Sequence, residues 1–424
     1  MKRIIERLSI ENFFSIINFD WEIKDFNVLT GGMASGKSLC IKLVQFLEQI
    51  SKRIIFFSVI SRDTLVKEIF YNNISKHFHS LFPTNNLKKD FYNTKITYTF
   101  EVLENHRIFD LNAQWNDQEN KLEWHSNYIN ENINKWRDYL DEQRTPDTVR
   151  FARKQISEKI ADDFLNHFPV DTMFIPASRA IASIITNTET NIPDKFLSAF
   201  INYDKPLILD LNDVSESETN NILHLNNIIV KEDPITKEKT FAFESILGKD
   251  ITPLELSSGQ QELLLLLLLI KVLPNIGFHS NIISVFIEEP CAHLFPKEQK
   301  DTVEYFAKIF RMLKDEGSRN VRFFITTHSP YILNVVNNML KKGSIISRNE
   351  DKKEEIINNK EIDFPHLFAH ELTASFIKDD GKIDDMLDEE MIIADKIAAI
   401  SYMINNDTIN LNNLNNELLY SKEN

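Results

Sequence analysis

The segment GGMASGKS, residues 31–38, has the spacing of a phosphate-binding loop (Walker A). In such a loop, backbone N–H groups and the N-terminus of the following helix surround a phosphate. Lys37 would place its charge on the β- and γ-phosphates, and the hydroxyl of Ser38 would coordinate Mg²⁺. The segment therefore predicts a site for a nucleoside triphosphate with Mg²⁺. The residues expected to contact the nucleotide here are Gly31, Gly32, Met33, Ala34, Ser35, Gly36, Lys37, Ser38 and Leu39.

Two carboxylates follow an apolar run in ISVFIEEP, residues 283–290. An apolar strand would deliver both acids to the carboxyl edge of a sheet, beside the phosphate loop. There Glu288 would hold Mg²⁺ through water, and Glu289 would orient and polarise the attacking water. An ordinary strand that meets solvent also ends in acids, so the assignment of this Walker B strand depends on the loop upstream.

A histidine ends the next apolar run, FFITTHSP at residues 323–330. From the end of a strand at the same sheet edge, His328 would reach the γ-phosphate and sense its presence. A single histidine at a strand end is more often structural, but its position after the loop and the paired acids favours a catalytic role. The sequence thus predicts Lys37, Glu289 and His328 as the catalytic residues.

A fourth motif, LELSSGQQE at residues 254–262, precedes a leucine-rich helix. A Ser-Ser-Gly turn at a helix start presents a hydroxyl and unpaired N–H groups to an anion. An ordinary helix cap would account for Ser257 and Ser258 but not for Gly259. We therefore include this turn among the expected nucleotide contacts, which are Ser257, Ser258, Gly259 and Gln260.

The elements that must position these motifs alternate between strands and helices. Short apolar runs at residues 26–30, 172–175, 282–287 and 322–326 alternate with helical patterns at 38–50, 260–272 and 297–313. Such alternation predicts an α/β fold in which a parallel sheet is covered by helices on both faces.

The remaining segments suggest an insertion and a C-terminal extension. Residues 95–103, 106–114 and 121–125 are typical of an antiparallel ribbon, and residues 127–168 form a charged helical stretch that we expect to be a solvated arm. A hairpin is expected around Asp380-Gly381 and a helix at 389–404. The predicted divisions are the core with Walker A (1–50), an inserted helical and β lobe (51–170), the core with the other three motifs (171–340), and a hairpin, helix and polar tail (341–424).

Composition narrows the class of protein. The net charge of −15 argues against a protein that mainly coats nucleic acid, so contact with DNA would need a local basic patch. Two cysteines provide neither a disulfide framework nor a zinc site. The N-terminus lacks the apolar region of a secretory signal, and the longest apolar run, residues 263–270, is far too short to cross a bilayer. We expect a cytoplasmic protein without a membrane partner.

The order of these four motifs resembles that of the ABC-like ATPases, which include SMC and RecF proteins and the OLD (overcoming lysogenization defect) family. The sequence is most similar to bacterial OLD-type ATPases of anti-phage defence, namely the PtuA-like subunit of Septu and retron systems and the AriA-like ATPase of PARIS. The shared phrases are LSIENFFSI with FNVLTGGMASGKS, IPASRA, ELSSGQQE, IEEPCAHLFP and FITTHSPYIL. The resemblance covers nearly the whole core and implies an ABC-type P-loop NTPase fold that uses ATP and Mg²⁺.

The resemblance also implies that the site is completed by a second copy. In the family, the serine and glycine of the signature turn, here Ser257 and Gly259, grip the ATP of a partner in a head-to-head dimer. Arg179, in IPASRA, falls at a recurrent family arginine, although a structural salt bridge would explain it equally well. The usual signature of the family has two glycines, and in this sequence Ser258 stands at the position of the first. The family's glutamine loop has two candidates, Gln114 and Gln118, and neither has a convincing context.

Three functions follow from the resemblance. The first is an ATPase that senses or scaffolds in an anti-phage complex and controls a separate effector such as a nuclease, with DNA or a phage protein as a further partner. The second is a RecF- or SMC-like DNA repair ATPase. The third is a self-contained OLD-type nuclease, which would need a TOPRIM domain after His328. Only an acidic hairpin follows, and its residues Asp379, Asp380, Asp384 and Asp385 are expected to lie in a turn and on the surface.

Overall fold

The fold is described from a computed structural model of the chain. The structure describes residues 4–60, 66–83, 91–119, 121–143, 145–164, 171–178, 197, 200, 217–232, 239–252, 255–274, 282–315, 317, 320–388 and 391–392. The strands are β1 (Ile4–Phe13), β2 (Ile16–Ile23), β3 (Phe26–Gly31), β4 (Lys95–Val102), β5 (Arg107–Asn116), β6 (Lys121–His125), β7 (Asp171–Ile175), β8 (Leu225–Glu232), β9 (Lys239–Ser245), β10 (Asp250–Ile251), β11 (Ile282–Glu288), β12 (Asn320–Thr327), β13 (Leu372–Ile377), β14 (Ile383–Asp385), β15 (Leu387–Asp388) and β16 (Met391–Ile392). The helices are α1 (Lys37–Ile60), α2 (Lys67–Leu81), α3 (Asn127–Asp141), α4 (Pro146–Asp163), α5 (Ser217–Leu223), α6 (Ser258–Val272), α7 (Pro296–Asp315), α8 (Pro330–Arg348) and α9 (Lys353–Ile357).

A six-stranded sheet forms the core, in the order β14-β13-β3-β12-β11-β7. Its five strands from β13 to β7 are parallel, and β14 is antiparallel at the edge. Parallel strands place all their carboxyl ends at one edge, so the residues that follow β3, β11, β12 and β13 lie together there. The predicted α/β fold class, with a largely parallel sheet flanked by helices, is confirmed.

The two faces of this sheet are covered by different elements. Side chains alternate across a strand, so Phe323 and Ile325 pack with α6, α7 and α8, whereas Phe324 packs on the face that carries α1. Both faces are apolar because both are covered, which explains why β11 and β12 are almost continuous runs of buried residues.

A second sheet lies over α1 and is antiparallel throughout, in the order β2-β1-β4-β5-β6. The predicted ribbon is present as β4, β5 and β6, but it continues the sheet that β1 and β2 begin. The expected solvated arm at 127–168 is wrong over the residues described. The structure has two helices there, α3 and α4, and each buries an apolar face. That of α3 includes Trp136, and that of α4 includes Ile156.

The segments around the core differ from expectation mainly at the C-terminus. Strands β8 and β9 form an antiparallel hairpin, and β13 and β14 form the hairpin expected around Asp380-Gly381. The helix expected from residue 389 does not begin there, because Met391–Ile392 pairs with Leu387–Asp388 as a short ladder. The rest of that helix lies outside the described residues. Among the described helices, none is long and apolar enough to cross a membrane.

Candidate functional site

The phosphate-loop segment joins the end of β3 to the start of α1 at the carboxyl edge of the core sheet. Gly31 pairs with Ile377 of β13, and a Cβ atom at position 31 would lie 2.5 Å from the Ile377 carbonyl oxygen. Gly36 has a φ of 104° and faces Ser15 of the β1–β2 turn, which its Cβ would approach to 3.0 Å. The loop is therefore held against the end of β13 and the β1–β2 turn at positions where only glycine fits.

Lys37 is buried within this loop. Its Nζ donates hydrogen bonds to the carbonyl oxygens of Gly31 at 3.1 Å and Gly32 at 2.9 Å, and it lies 3.6 Å from Glu289 Oε1. The ammonium therefore lies between the loop and the acids that follow β11. This is the position from which a lysine would meet the phosphates of a bound nucleotide.

Glu289 follows β11 in a left-handed conformation, with φ of 42°. Its N–H donates to the carbonyl oxygen of Thr326 at 3.1 Å and lies 3.2 Å from the hydroxyl of the same residue, so β12 fixes this backbone. Its Oε2 lies 2.8 Å from His328 Nδ1. The structure thus brings Glu289 into contact with the other two predicted catalytic residues, Lys37 on one oxygen and His328 on the other.

Glu288, the last residue of β11, is only 4% exposed. Its Oε1 lies 3.1 Å from Lys42 Nζ, and its Oε2 accepts a hydrogen bond from the Ala177 N–H at 3.1 Å. Sequence reasoning missed both partners. The signal for Lys42 was its place four residues after Ser38 on α1, which puts both side chains on one helix face.

A Mg²⁺ ion would find hard oxygen donors here, as such an ion requires. Ser38 at the start of α1 and Glu288 at the end of β11 are the predicted ligands. Ser35 adds a buried hydroxyl that has no hydrogen-bond partner among the described residues. The described residues contain no group of three or more acids, histidines or cysteines that could hold a metal alone. The donor set therefore fits an ion that also takes phosphate and water oxygens.

The signature turn begins a different helix from the phosphate loop, α6 instead of α1. Ser257 caps α6, where its side chain accepts from the Gln260 N–H while the Gln260 side chain accepts from the Ser257 N–H. A Cβ at Gly259 would lie 3.0 Å from a Leu294 methyl carbon, so the glycine lets α6 approach the turn after β11. Within the described part of the chain, no hydrogen bond or ion pair joins residues 257–260 to residues 31–39.

Other candidates are placed less centrally. Arg179 lies outside the described residues. Gln114 is a strand residue of β5 opposite Lys95, and Gln118 lies in the turn after β5. Neither forms a contact with the phosphate loop among the interactions of the described residues. In the acidic hairpin, Asp384 pairs with Lys378.

One acid of that hairpin does lie at the loop, which the sequence did not predict. A Cβ atom at Gly32 would be 3.0 Å from Asp379 Oδ1. The prediction that these acids lie in a turn and on the surface agrees with Asp379 and Asp380, which are exposed between β13 and β14.

The family assignment follows from comparison with known proteins. The family model described as the AAA ATPase domain matches residues 1–333. The chain belongs to the AAA ATPase domain family. The match spans the phosphate loop, the signature turn, the paired glutamates and His328. No curated protein gives a significant match to the sequence.

Two solved structures are similar to this AAA ATPase domain. The crystal structure of the SmcHead bound to the C-winged helix domain of ScpA has 11% sequence identity and a TM-score of 0.39, and the match covers 78% of this chain and 92% of that chain. The SMC head domain from Thermotoga maritima has 14% identity and a TM-score of 0.34, with 79% of this chain and 92% of that chain covered.

Membership of the family implies that the protein binds ATP, typically with Mg²⁺. We predict that such a ligand binds at the phosphate loop and the acids beside it. The assignment of individual residues to phosphates, metal and water stays a prediction.

Proposed function

We propose that this protein binds and hydrolyses ATP at a head-to-head dimer interface and acts as the sensor or scaffold of an anti-phage defence complex that controls a separate effector. The observation that carries the ATPase part is the contact of Glu289 with both Lys37 and His328. A carboxylate placed between a phosphate-binding lysine and a strand-end histidine is suited to orient water for attack on a γ-phosphate.

The chemical roles follow from what each residue contacts. Lys37 would exchange its bonds to the loop carbonyls for phosphate oxygens, which would free Glu289 to accept a proton from water. The Nδ1 atom of His328 lies 2.8 Å from Glu289 Oε2, but the histidine side chain is 59% exposed. His328 would therefore link the carboxylate to the solvent-exposed side of the site. ATP supplies the phosphoanhydride bond that is broken, and Mg²⁺ held by Ser38 and Glu288 would offset the phosphate charge.

The dimer is supported by the exposed signature turn, which begins α6, whereas the phosphate loop of the same chain begins α1. Ser257 and Ser258 are exposed at the N-terminus of α6, where unpaired N–H groups favour an anion. Large apolar side chains are also exposed on loops of the site: Met33 is 97% exposed and Phe295, after the Walker B strand, is 75% exposed. Apolar groups exposed beside a polar site are typical of a surface that another chain covers.

The role in defence rests on the shared phrases with OLD-type defence ATPases. A separate effector is favoured over a built-in nuclease because the acids after His328 belong to the hairpin that β13 and β14 form. Asp384 pairs with Lys378 and Asp380 pairs with Lys382. Within the described ranges, these acids do not form a metal-binding group.

Glu289→Gln tests the ATPase and the dimer together. The variant should retain ATP binding but lose at least about 100-fold in turnover, because Gln does not accept the proton of the attacking water. It should therefore remain as an ATP-bound dimer in size-exclusion chromatography with light scattering. Lys37→Ala, which should bind no ATP, is the control and should stay in the ATP-free state of assembly. An unchanged mass for Glu289→Gln with ATP would rule out the sandwich mechanism.

The effector is tested by co-expression with the neighbouring open reading frame. Co-purification of a nuclease whose activity depends on Lys37 would support the scaffold role. A monomer that binds DNA unaided and does not retain the neighbouring product would contradict it and favour the RecF-like alternative.

A further inference from the structure

The turn between β13 and β14, residues 378–382, lies next to the phosphate loop. We call it the C-terminal turn. The N–H groups of Ile17 and Asn18 donate to the Gly381 carbonyl oxygen at 3.0 and 3.3 Å, and within the turn the Lys378 N–H donates to the Lys382 carbonyl oxygen at 2.8 Å. The turn is therefore hydrogen-bonded to the start of β2, and β13, which leads into it, pairs with β3. It forms one wall of the site.

The C-terminal turn lies on the side of the loop away from the catalytic residues. In the sheet order, β12 and β11 flank β3 on one side and carry Glu288, Glu289 and His328, while β13 flanks β3 on the other. A nucleoside triphosphate is extended, and the proposed function places its γ-phosphate by Glu289. The opposite side of the loop is then left for the nucleoside.

Asp379 is the residue of this wall that comes closest to the loop, with its Oδ1 3.0 Å from a Cβ built at Gly32. Its neighbour Asp380 is engaged, since it accepts from the Lys382 N–H at 3.2 Å. Asp379, by contrast, has no hydrogen bond or ion pair with any described residue. A carboxylate repels phosphate oxygens but accepts strongly from hydroxyl groups, and an acidic side chain is a common acceptor for ribose hydroxyls.

We propose that Asp379 is a specificity-determining residue that accepts hydrogen bonds from the ribose hydroxyls of the bound nucleotide. This inference rests on the proposed function, because it needs a nucleotide at the phosphate loop. It assigns the C-terminal turn, which lies outside the four sequence motifs, to the nucleoside half of the site. The protein would accordingly distinguish ribonucleotides from nucleotides that lack the sugar hydroxyls.

The test compares ATP with 2′,3′-dideoxyATP by isothermal titration calorimetry on the full chain with Mg²⁺. The wild-type protein should bind ATP about tenfold more tightly than the dideoxy nucleotide, as expected when a charged hydrogen bond is lost. Asp379→Ala should bind ATP about tenfold more weakly than wild type and should bind the two nucleotides equally. Asp380→Asn removes the same charge one residue away, keeps the acceptor for Lys382, and should behave as wild type.

The outcomes separate this inference from the proposed function. If wild type binds ATP and Lys37→Ala does not, but Asp379→Ala keeps the preference for ATP, the role of Asp379 is refuted and the ATPase assignment stands. Equal weakening of ATP and dideoxyATP by Asp379→Ala also contradicts it, since this points to contact with the base. If wild type binds neither nucleotide, the proposed function itself fails. Thermal unfolding of each variant should show that the fold is kept.

Discussion

Glu288 is almost completely buried, so its charge needs a partner inside the protein. The Lys42 ammonium provides one at 3.1 Å and the Ala177 N–H provides a hydrogen bond. The Lys42 side chain is 21% exposed, which weakens screening by water relative to a surface pair. Lys42 therefore holds the carboxylate in the place where Mg²⁺ is expected to be bound.

Lys42→Met should destabilise the nucleotide-free protein, because it leaves the buried Glu288 without its ammonium partner. We expect the free energy of unfolding to fall by about 2 kcal/mol, less than for a fully buried pair because the Ala177 hydrogen bond remains. The measurement is urea denaturation without nucleotide. Lys297→Met is the matched control. It removes a lysine that pairs with Asp301 on the exposed face of α7 and should change stability little. Equal effects of the two substitutions would contradict the role of Lys42.

How far the site was predictable depends on the kind of residue. Lys37, Glu289 and His328 follow apolar strands of one parallel sheet, so their meeting at its edge follows from local patterns. Lys42 was missed because a helical lysine is usually solvated, and only the fold reveals the buried acid beside it. The left-handed backbone of Glu289 was also unpredictable, because it depends on a hydrogen bond to β12, a separate strand.

At the scale of elements, the strands with long apolar runs were predictable, but the strands that pair with them in the sheet were not. Strands β3, β11 and β12 are each nearly continuous runs of buried residues with clear boundaries. The sequence of β13, LTASFI, lies where the composition turns polar, and only a hairpin with β14 was expected. Its parallel pairing with β3 joins segments far apart in the chain, which no local pattern encodes. The phosphate loop thus depends on an element that the sequence assigned to an extension.

Gly381→Ala tests this dependence. The residue has a φ of 71°, and a Cβ there would lie 2.4 Å from the Ser15 carbonyl oxygen, so the C-terminal turn would have to move away from the β1–β2 turn, which contacts the phosphate loop at Gly36. We expect a loss of about 1 kcal/mol from the left-handed backbone and at least a similar further loss from the displaced contact. Affinity for ATP, measured by calorimetry, should fall as well.

Gly317→Ala is the control for Gly381→Ala. Gly317 also has a left-handed φ, of 63°, but no described atom lies within 4 Å of a Cβ at that position. Gly317→Ala should lose only the stability that comes from the left-handed backbone, and its affinity for ATP should be unchanged. If both variants lose the same stability and neither loses affinity, the C-terminal turn does not support the loop.

At the scale of the whole molecule, a buried ionic network joins the two sheets through α1. Arg322, near the start of β12, pairs with Glu6 of β1 at 2.7 Å and with Glu48 of α1 at 3.3 Å. Glu48 also accepts from the Ser284 hydroxyl of β11 at 3.1 Å, and Glu6 accepts from the Tyr98 hydroxyl at 2.7 Å. The helix that begins at the phosphate loop is thereby linked to β11, to β12 and to the antiparallel sheet.

Two carboxylates share one guanidinium in this network, so ionisation of both would leave one negative charge unbalanced in the interior. Burial raises the pKa of Glu48 to about 8 and also raises the pKa of Glu6, while Arg322 opposes both shifts. In the unfolded chain Glu48 has the ordinary glutamate pKa of about 4.5. Between about pH 4.5 and 8 the folded protein therefore keeps a proton that the unfolded chain releases.

Glu48→Gln should remove a pH dependence of stability that this network creates. Because the folded-state pKa is raised, the stabilising contribution is complete below the unfolded pKa and is lost as pH rises through the folded pKa, by at most about 1.4 kcal/mol per pH unit. The neutral amide leaves Arg322 paired with Glu6 alone, so the variant should be more stable than wild type at pH 8 and its stability should fall less between pH 5 and 8. Urea denaturation at several pH values measures the stability at pH 8 and its fall between pH 5 and 8. Glu11→Gln is the control: Glu11 is an exposed partner of Lys95, and this variant should have the pH profile of the wild type. A Glu48→Gln profile parallel to that of wild type would show that Glu48 is ionised in the folded protein throughout this range.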